Sequence, residues 1–331
     1  MRQMLSFFLR GLPFALLTVS GPNFTAIPVE AAERFPSKAI TWFVPYSPGG
    51  GFDLHSRAVV RGLKKRLGVS VIIKNVPGAG GNIGWNLLWK SKPDGHTLGI
   101  VNIPGAIVSE LYGKPKPQYR LRKFSWIGRI SAAPYIWAVG AKTPYRKLED
   151  LQKAKRVLIS ETGVGGTAWV TSTMTASMMK FKPKFIMGYR GAVGSNLAIV
   201  RGEGEARALG MDSPGQMRFV HEGNLVPLWV YLEERAPAFP DVPTVGELGY
   251  PELTLLASHR VVTAPPGVPK DRLELLRKAF AESLKDPEVL KAFKKMRAKP
   301  SPVVGDQWVP VLNSLFDLMK EHSNVFIEAM P

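Results

Sequence analysis

The chain has 331 residues, 45% of them hydrophobic, with a mean hydropathy of −0.01; this suffices for two ordinary domains or one large one, and excludes a disordered chain or a polytopic membrane protein. It has no cysteine, which removes disulfides, thiol catalysis, a thiolate zinc site and a lipid anchor on an N-terminal cysteine. The net charge of +18 points to an anionic partner, leaving nucleic acid, anionic lipid and small carboxylates or phosphates open.

Residues 1–31 read as a secretory signal peptide. Arg2 and Arg10 stand without an acid, Leu12 to Val19 is a short apolar run, and Val29-Glu30-Ala31 offers the small or apolar residues that a signal peptidase reads. A buried helix or a membrane anchor fits less well, because Pro13, Gly21 and Pro22 break it and the run is far short of the roughly 20 residues of a span. Cleavage near Ala31 removes two basic residues and one acid, taking the charge from +18 to +17. An exported protein meets little nucleic acid, and the basic residues (Arg61, Lys64, Lys65 and Arg66 on one expected helix, Lys291, Lys294, Lys295, Arg297 and Lys299 on another) read as solvated faces.

Beyond the signal, short apolar runs alternate with amphipathic stretches. Ala39–Val44 predicts a buried strand, followed by the turn Ser47-Pro48-Gly49-Gly50-Gly51 and a helix from Asp53 to about Leu67, with Asp53 as its cap. Val69–Lys74 predicts the next strand; Pro77-Gly78-Ala79-Gly80-Gly81 leads into a helix through Trp85, Leu88 and Trp89, and Leu98–Val101 is a third strand. The pattern restarts after Pro134 with strand Tyr135–Val139, helix Leu148–Lys153 and strand Val157–Ser160. Then come the glycine turn 162–167, a helix to Met179, and the runs Phe185–Gly188, Leu197–Val200, Ala206–Leu209 and Leu225–Tyr231. From Lys270 the chain is mostly helical, with Asp271 and Asp286 as caps. The expected fold is α/β: two lobes, each a mostly parallel sheet flanked by helices, with a ligand cleft between them. Residues 32–134 and 258–331 form lobe 1, and 135–257 form lobe 2.

Three glycine turns, 47–52, 77–84 and 162–167, each follow a strand and precede a helix. In an open sheet that is where ligands bind, and free N–H groups at helix starts favour an anion there. Enzyme motifs are weak: Gly163 to Ala168 fits a dinucleotide fingerprint but lacks the acid about twenty residues on, and neither a phosphate loop nor a nucleophile elbow is present. Asp53 and His55 are the one pair on which an exported enzyme could be built.

Val44-Pro45-Tyr46-Ser47-Pro48-Gly49-Gly50-Gly51-Phe52-Asp53 resembles the VPF-x-PGGG-x-D loop of the tripartite tricarboxylate transporter substrate-binding proteins, also called Bug receptors. Asn75 to Gly84 is similar to that family's N-x-PGAGG-x-IG loop, Lys92 to Leu98 to its KPDGYTL turn, and Pro240 to Thr244 and Ala264 to Pro269 to two later signatures. The resemblance implies a periplasmic, two-lobed, most simply monomeric receptor without cofactor or catalysis, which binds a small organic carboxylate and delivers it to a two-component membrane permease. A sensing role beside a membrane signalling protein fits the same fold. Ligand contacts are implied at Ser47, Gly50, Gly51, Phe52 and Asp53 of the first loop, at Gly165, Gly166 and Thr167 of the third, and at Asp212 and Ser213. Gly81, Asn102 and Arg260 complete the expected set. Where the family has Trp-x-Gly, this chain has Ser258-His259-Arg260-Val261; Arg260 either pairs with a second carboxylate or lies at the hinge. Trp169 offers an indole that could favour an apolar or aromatic ligand body.

Overall fold

The computed structural model describes residues 34–329, so the expected signal peptide lies outside the described residues. Five strands and three helices build the first half: β1 (Ile40–Val44), α1 (Gly51–Leu67), β2 (Val71–Asn75), α2 (Asn82–Lys90), β3 (Thr97–Ile103), α3 (Gly105–Tyr112), β4 (Ser125–Ala133) and β5 (Tyr135–Gly140). The chain continues through α4 (Leu148–Lys153), β6 (Val157–Ser160), α5 (Thr167–Met178), β7 (Pro183–Ile186), α6 (Gly191–Val200), β8 (Ala206–Gly210), α7 (Pro214–His221), β9 (Leu225–Val230) and β10 (Ser258–Ala264). It ends with α8 (Lys270–Ser283), α9 (Pro287–Lys295), β11 (Val303–Val304), α10 (Val309–Glu321) and α11 (Ser323–Ala329).

Two sheets result, ordered β11-β4-β10-β3-β1-β2 and β7-β6-β8-β5-β9, flanked by helices in a two-lobed α/β fold. Both are mixed, which corrects the expectation of mostly parallel sheets. In the first sheet β1 is parallel to β2 and β3, whereas β10 is antiparallel to β3 and β4. In the second, β6 is parallel to β7 and β8, and β5 runs antiparallel to β8 and β9. The cause is chain return: β5 and β10 arrive from the neighbouring sheet, and no crossover helix reverses them.

The cores follow from the sheet faces. Trp42 of β1 is fully buried under α1, its indole N–H donating to Ser56 Oγ at 3.0 Å. Gly62 lets α1 approach α8, since a Cβ there would lie 2.8 Å from Ser283 Cβ. In the second sheet the register pairs Trp137 with Trp229, whose rings stack 5.4 Å apart. Phe326 of α11 packs on both Tyr112 of α3 and Trp169 of α5, so the C-terminal helix touches helices beside both sheets.

Two local expectations change. Gly50, not Asp53, caps α1, and Asp53 is the third helical residue. Pro269, not Asp271, caps α8, whereas Asp286 does cap α9, accepting from Glu288 N. The run Leu197–Val200 forms the end of α6.

Candidate functional site

The register of the first sheet sets the floor of the site. Arg260 of β10 lies opposite Asn102 of β3 on one side and Ser131 of β4 on the other, a polar row across the carboxyl end of β3. All three are buried. The three glycine turns close over this row, each on the strand-to-helix step that its sequence predicts.

The first turn is held from below. Asp53 Oδ2 accepts from Gly49 N and Arg57 Nε, both at 2.8 Å, and Oδ1 accepts from Asn75 Nδ2 at 3.0 Å. Burial opposes the charge on Asp53, but these donors prevail and hold its carboxyl below the usual range. Asp53 therefore fastens the loop to the end of β2, while Gly50, Gly51 and Phe52 form the rim. Gly51 has a specific reason to be glycine: a Cβ there would stand 3.3 Å from Arg260 Nη2. The Phe52 ring lies 5.2 Å from the same guanidinium.

Tyr46 joins the turns. Its hydroxyl accepts from Asn102 Nδ2 at 2.7 Å and donates to Gly80 O at 3.3 Å, and its ring packs on Phe52. Asn102 Oδ1 accepts from the Thr167 hydroxyl of the third turn, which lies in the second sheet's half of the molecule. The second and third turns also meet directly, since a Cβ on Gly80 (φ +66°) would lie 2.9 Å from Val164 O. Gly165 seats against the start of α3, where a Cβ on Gly105 would strike its carbonyl oxygen. Gly166 is the N-cap of α5, and Gly81 (φ +110°) leaves room for the Trp85 ring.

Asp212, just after β8, crosses to Arg260: its Oδ2 accepts from Nη1 at 2.6 Å and its Oδ1 from Nη2 at 3.2 Å. Burial works against the Asp212 carboxylate, but the Arg260 guanidinium beside it prevails and holds its pKa well below the usual range. Arg260 is thus buried and paired across the two sheets rather than exposed on a surface. His55 Nε2 stands 3.4 Å from Asp212 Oδ2, while Nδ1 is 2.7 Å from Gly51 O. A carbonyl only accepts, so Nδ1 carries the proton and the neutral ring turns a bare lone pair toward Asp212. Burial, then the Arg260 charge, lower the His55 pKa and keep the ring neutral. Two buried atoms here have no hydrogen-bond partner, Arg260 Nε and His55 Nε2.

The structure brings together Gly50, Gly51, Phe52, Asp53, Asn102, Gly165, Gly166, Thr167, Asp212 and Arg260, with Gly81 one layer behind. Ser47 is exposed in its loop, and Ser213 lends its backbone, not its hydroxyl, to the start of α7. Trp169 is fully buried against Phe185 and Phe326 and does not line the cleft, so the idea that it selects a ligand body is corrected. Tyr46, Ser131 and Asn75 escaped the sequence reading, although Tyr46 and Asn75 lie in the two motifs. Among the described residues no group of three His, Asp or Glu side chains could hold a metal ion.

The family model described as "Tripartite tricarboxylate transporter family receptor" matches residues 55–309. Protein BugT of Bordetella pertussis is 28% identical over 290 residues, covering 85% of this chain and 87% of that protein. Among solved structures, one described as a periplasmic transporter superposes with a TM-score of 0.76 at 26% identity, covering 88% of this chain and 97% of that one. An R. palustris protein with adipate superposes with a TM-score of 0.74 at 20% identity, over 88% and 98% of the two chains. Glycine loops, fold and family match agree, and the chain belongs to the tripartite tricarboxylate transporter receptor family of solute-binding proteins.

Proposed function

We propose that the protein is exported through cleavage of residues 1–31, captures a small organic carboxylate in the periplasm by closing its lobes (32–134 with 258–331, and 135–257), and delivers it to a two-component membrane permease. The observation that carries this is the meeting of two helix starts at one buried polar row: Gly51 of α1 lies against Arg260, whose Nε lacks a partner, and Thr167 of α5 bonds Asn102, the residue opposite Arg260 in the sheet. Helix starts and a guanidinium both favour an anion, and glycine at positions 50, 51, 165 and 166 opens the backbone to it. A ligand touching both lobes stabilises the closed form by its differential affinity for it. The R. palustris relative of this fold holds adipate, a carboxylate of the proposed class.

Binding without turnover fits the engagement of the two residues an enzyme would use: Asp53 is held by Gly49, Arg57 and Asn75, and the His55 proton by Gly51 O. Thermal unfolding against mono-, di-, tri- and aromatic carboxylates tests the reading. Ligand at a hundred times its dissociation constant adds about 2.7 kcal/mol, a rise of several degrees. Absence of any rise, in protein shown by mass spectrometry to carry no ligand, would sink it.

A further inference from the structure

The two unpartnered atoms in the cleft are of opposite kind. Arg260 Nε is a donor on a cation; His55 Nε2 is an acceptor 3.4 Å from the Asp212 anion. Arg260 and His55 are both at least nine-tenths buried, so water does not readily satisfy either atom. An anion alone suits the first and not the second. If a plain carboxylate takes the Arg260 fork, Asp212 loses its counter-charge beside a lone pair, and a buried carboxylate left unpaired is strongly penalised.

Resting on the carboxylate reading above, we propose that the preferred ligand is a small zwitterion, an α-amino acid, which inserts between Arg260 and Asp212. Its carboxylate takes the Arg260 guanidinium, Nε included, under the N-terminus of α1. Its ammonium donates to Asp212 and to His55 Nε2, two acceptors that already stand side by side. Each cleft charge then exchanges one opposite partner for another, and both unpartnered atoms are satisfied. The spacing favours neighbouring charges: Asp212 and Arg260 now touch at 2.6 Å, so a ligand with widely separated charges would force the lobes further apart. Phe52, over the guanidinium, leaves an apolar flank for the ligand's side chain.

The test is calorimetric titration of the protein with the twenty standard amino acids, each beside the acid that lacks only its amino group, and with adipate. At least one amino acid should bind on the order of 10–100-fold more tightly than its deaminated partner, the worth of a charged hydrogen bond. Asp212→Asn should erase most of that preference while leaving the deaminated acid bound as well or better. His55→Leu, which keeps Asp212 but removes the second acceptor, should reduce the preference severalfold, and serves if Asp212→Asn fails to fold. Deaminated acids or adipate binding as tightly as any amino acid, or a preference that both variants leave unchanged, would overturn the zwitterion while the carboxylate receptor stands. No binding by any member of the panel would bring down both.

Discussion

Arg207 with Glu161 and Arg260 with Asp212 are both buried arginine–carboxylate pairs, yet they are built to opposite plans. Arg207 and Glu161 belong to one sheet and its loops and are 1% and 0% exposed. Arg207 donates to Ala192 O, Ala208 O and Asn196 Oδ1, and Glu161 accepts from Ser172 Oγ, so every polar side-chain atom is engaged, though the pair itself is loose at 3.4 Å. Arg260 and Asp212 come from different sheets, meet at 2.6 Å, and leave an unpartnered atom on Arg260 and on the adjoining His55. A pair saturated on all sides is structural reinforcement. One that is tight but incomplete, and joins the two sheets, suits the exchange of partners proposed above.

The largest effect should separate the two. Arg207→Met strands Glu161 in a dry site and should cost about 3–5 kcal/mol, lowering the unfolding midpoint by roughly 10 °C. Arg260→Met leaves Asp212, whose side chain is 12% exposed against 0% for Glu161, and should therefore cost less than half of that while abolishing the proposed carboxylate binding. Equal losses of stability in thermal scans would erase the contrast.

Acid offers the second test. His259, next to Arg260 on β10, is buried, and burial with the nearby Arg129 and Arg260 charges lowers its pKa to about 3. A folded pKa below the unfolded value of about 6.5 means the neutral ring stabilises the fold above that pH, and the contribution disappears as pH falls from 6.5 to 3. The loss should reach roughly 3–5 kcal/mol, and His259→Gln should flatten the curve over that window.

The carboxylates of the two pairs should give slopes of opposite sign. Asp212 is depressed to about 2, so its stabilisation is complete above its ordinary 3.8 and vanishes between pH 4 and 2. Burial raises Glu161 above its ordinary 4.5 despite Arg207, so the folded form holds that proton more tightly and stability falls as pH rises through the window. Denaturant titrations at several pH values should show Asp212→Asn removing about 2 kcal/mol of acid lability, and Glu161→Gln removing none.

How much of this could be read from the residues follows from sequence distance. The glycine turns and the elements around them were legible because strand, turn and helix lie within about twenty residues, and because PGGG and PGAGG demand a backbone that few other arrangements use. The antiparallel strands were not. β4 is a buried nine-residue run interrupted by Gly128 and Arg129, and nothing local says that β10 will separate it from β3. The cleft pairing was hidden for the same reason: Asp212 meets Arg260 across 48 residues and two sheets, and His55 joins them from a third segment. The arginine was visible as a departure from a family pattern, but its partner was not.

The smallest expected effect tests where the site stops. Ser213 is the neighbour of Asp212 and was expected beside it, yet its hydroxyl makes no hydrogen bond at the start of α7, where a serine would ordinarily accept from the backbone. Helix α7 begins with Pro214, which lacks an N–H, so the helix needs one donor fewer satisfied. Ser213→Ala should therefore shift stability by no more than about 0.5 kcal/mol. It should also leave the affinity for any carboxylate unchanged, in contrast to Asp212→Asn one residue away. A marked loss of affinity in the alanine variant at unchanged stability would mean that the hydroxyl turns into the cleft when ligand is bound. The exchangeable charge pair would then have a neutral companion from the same loop.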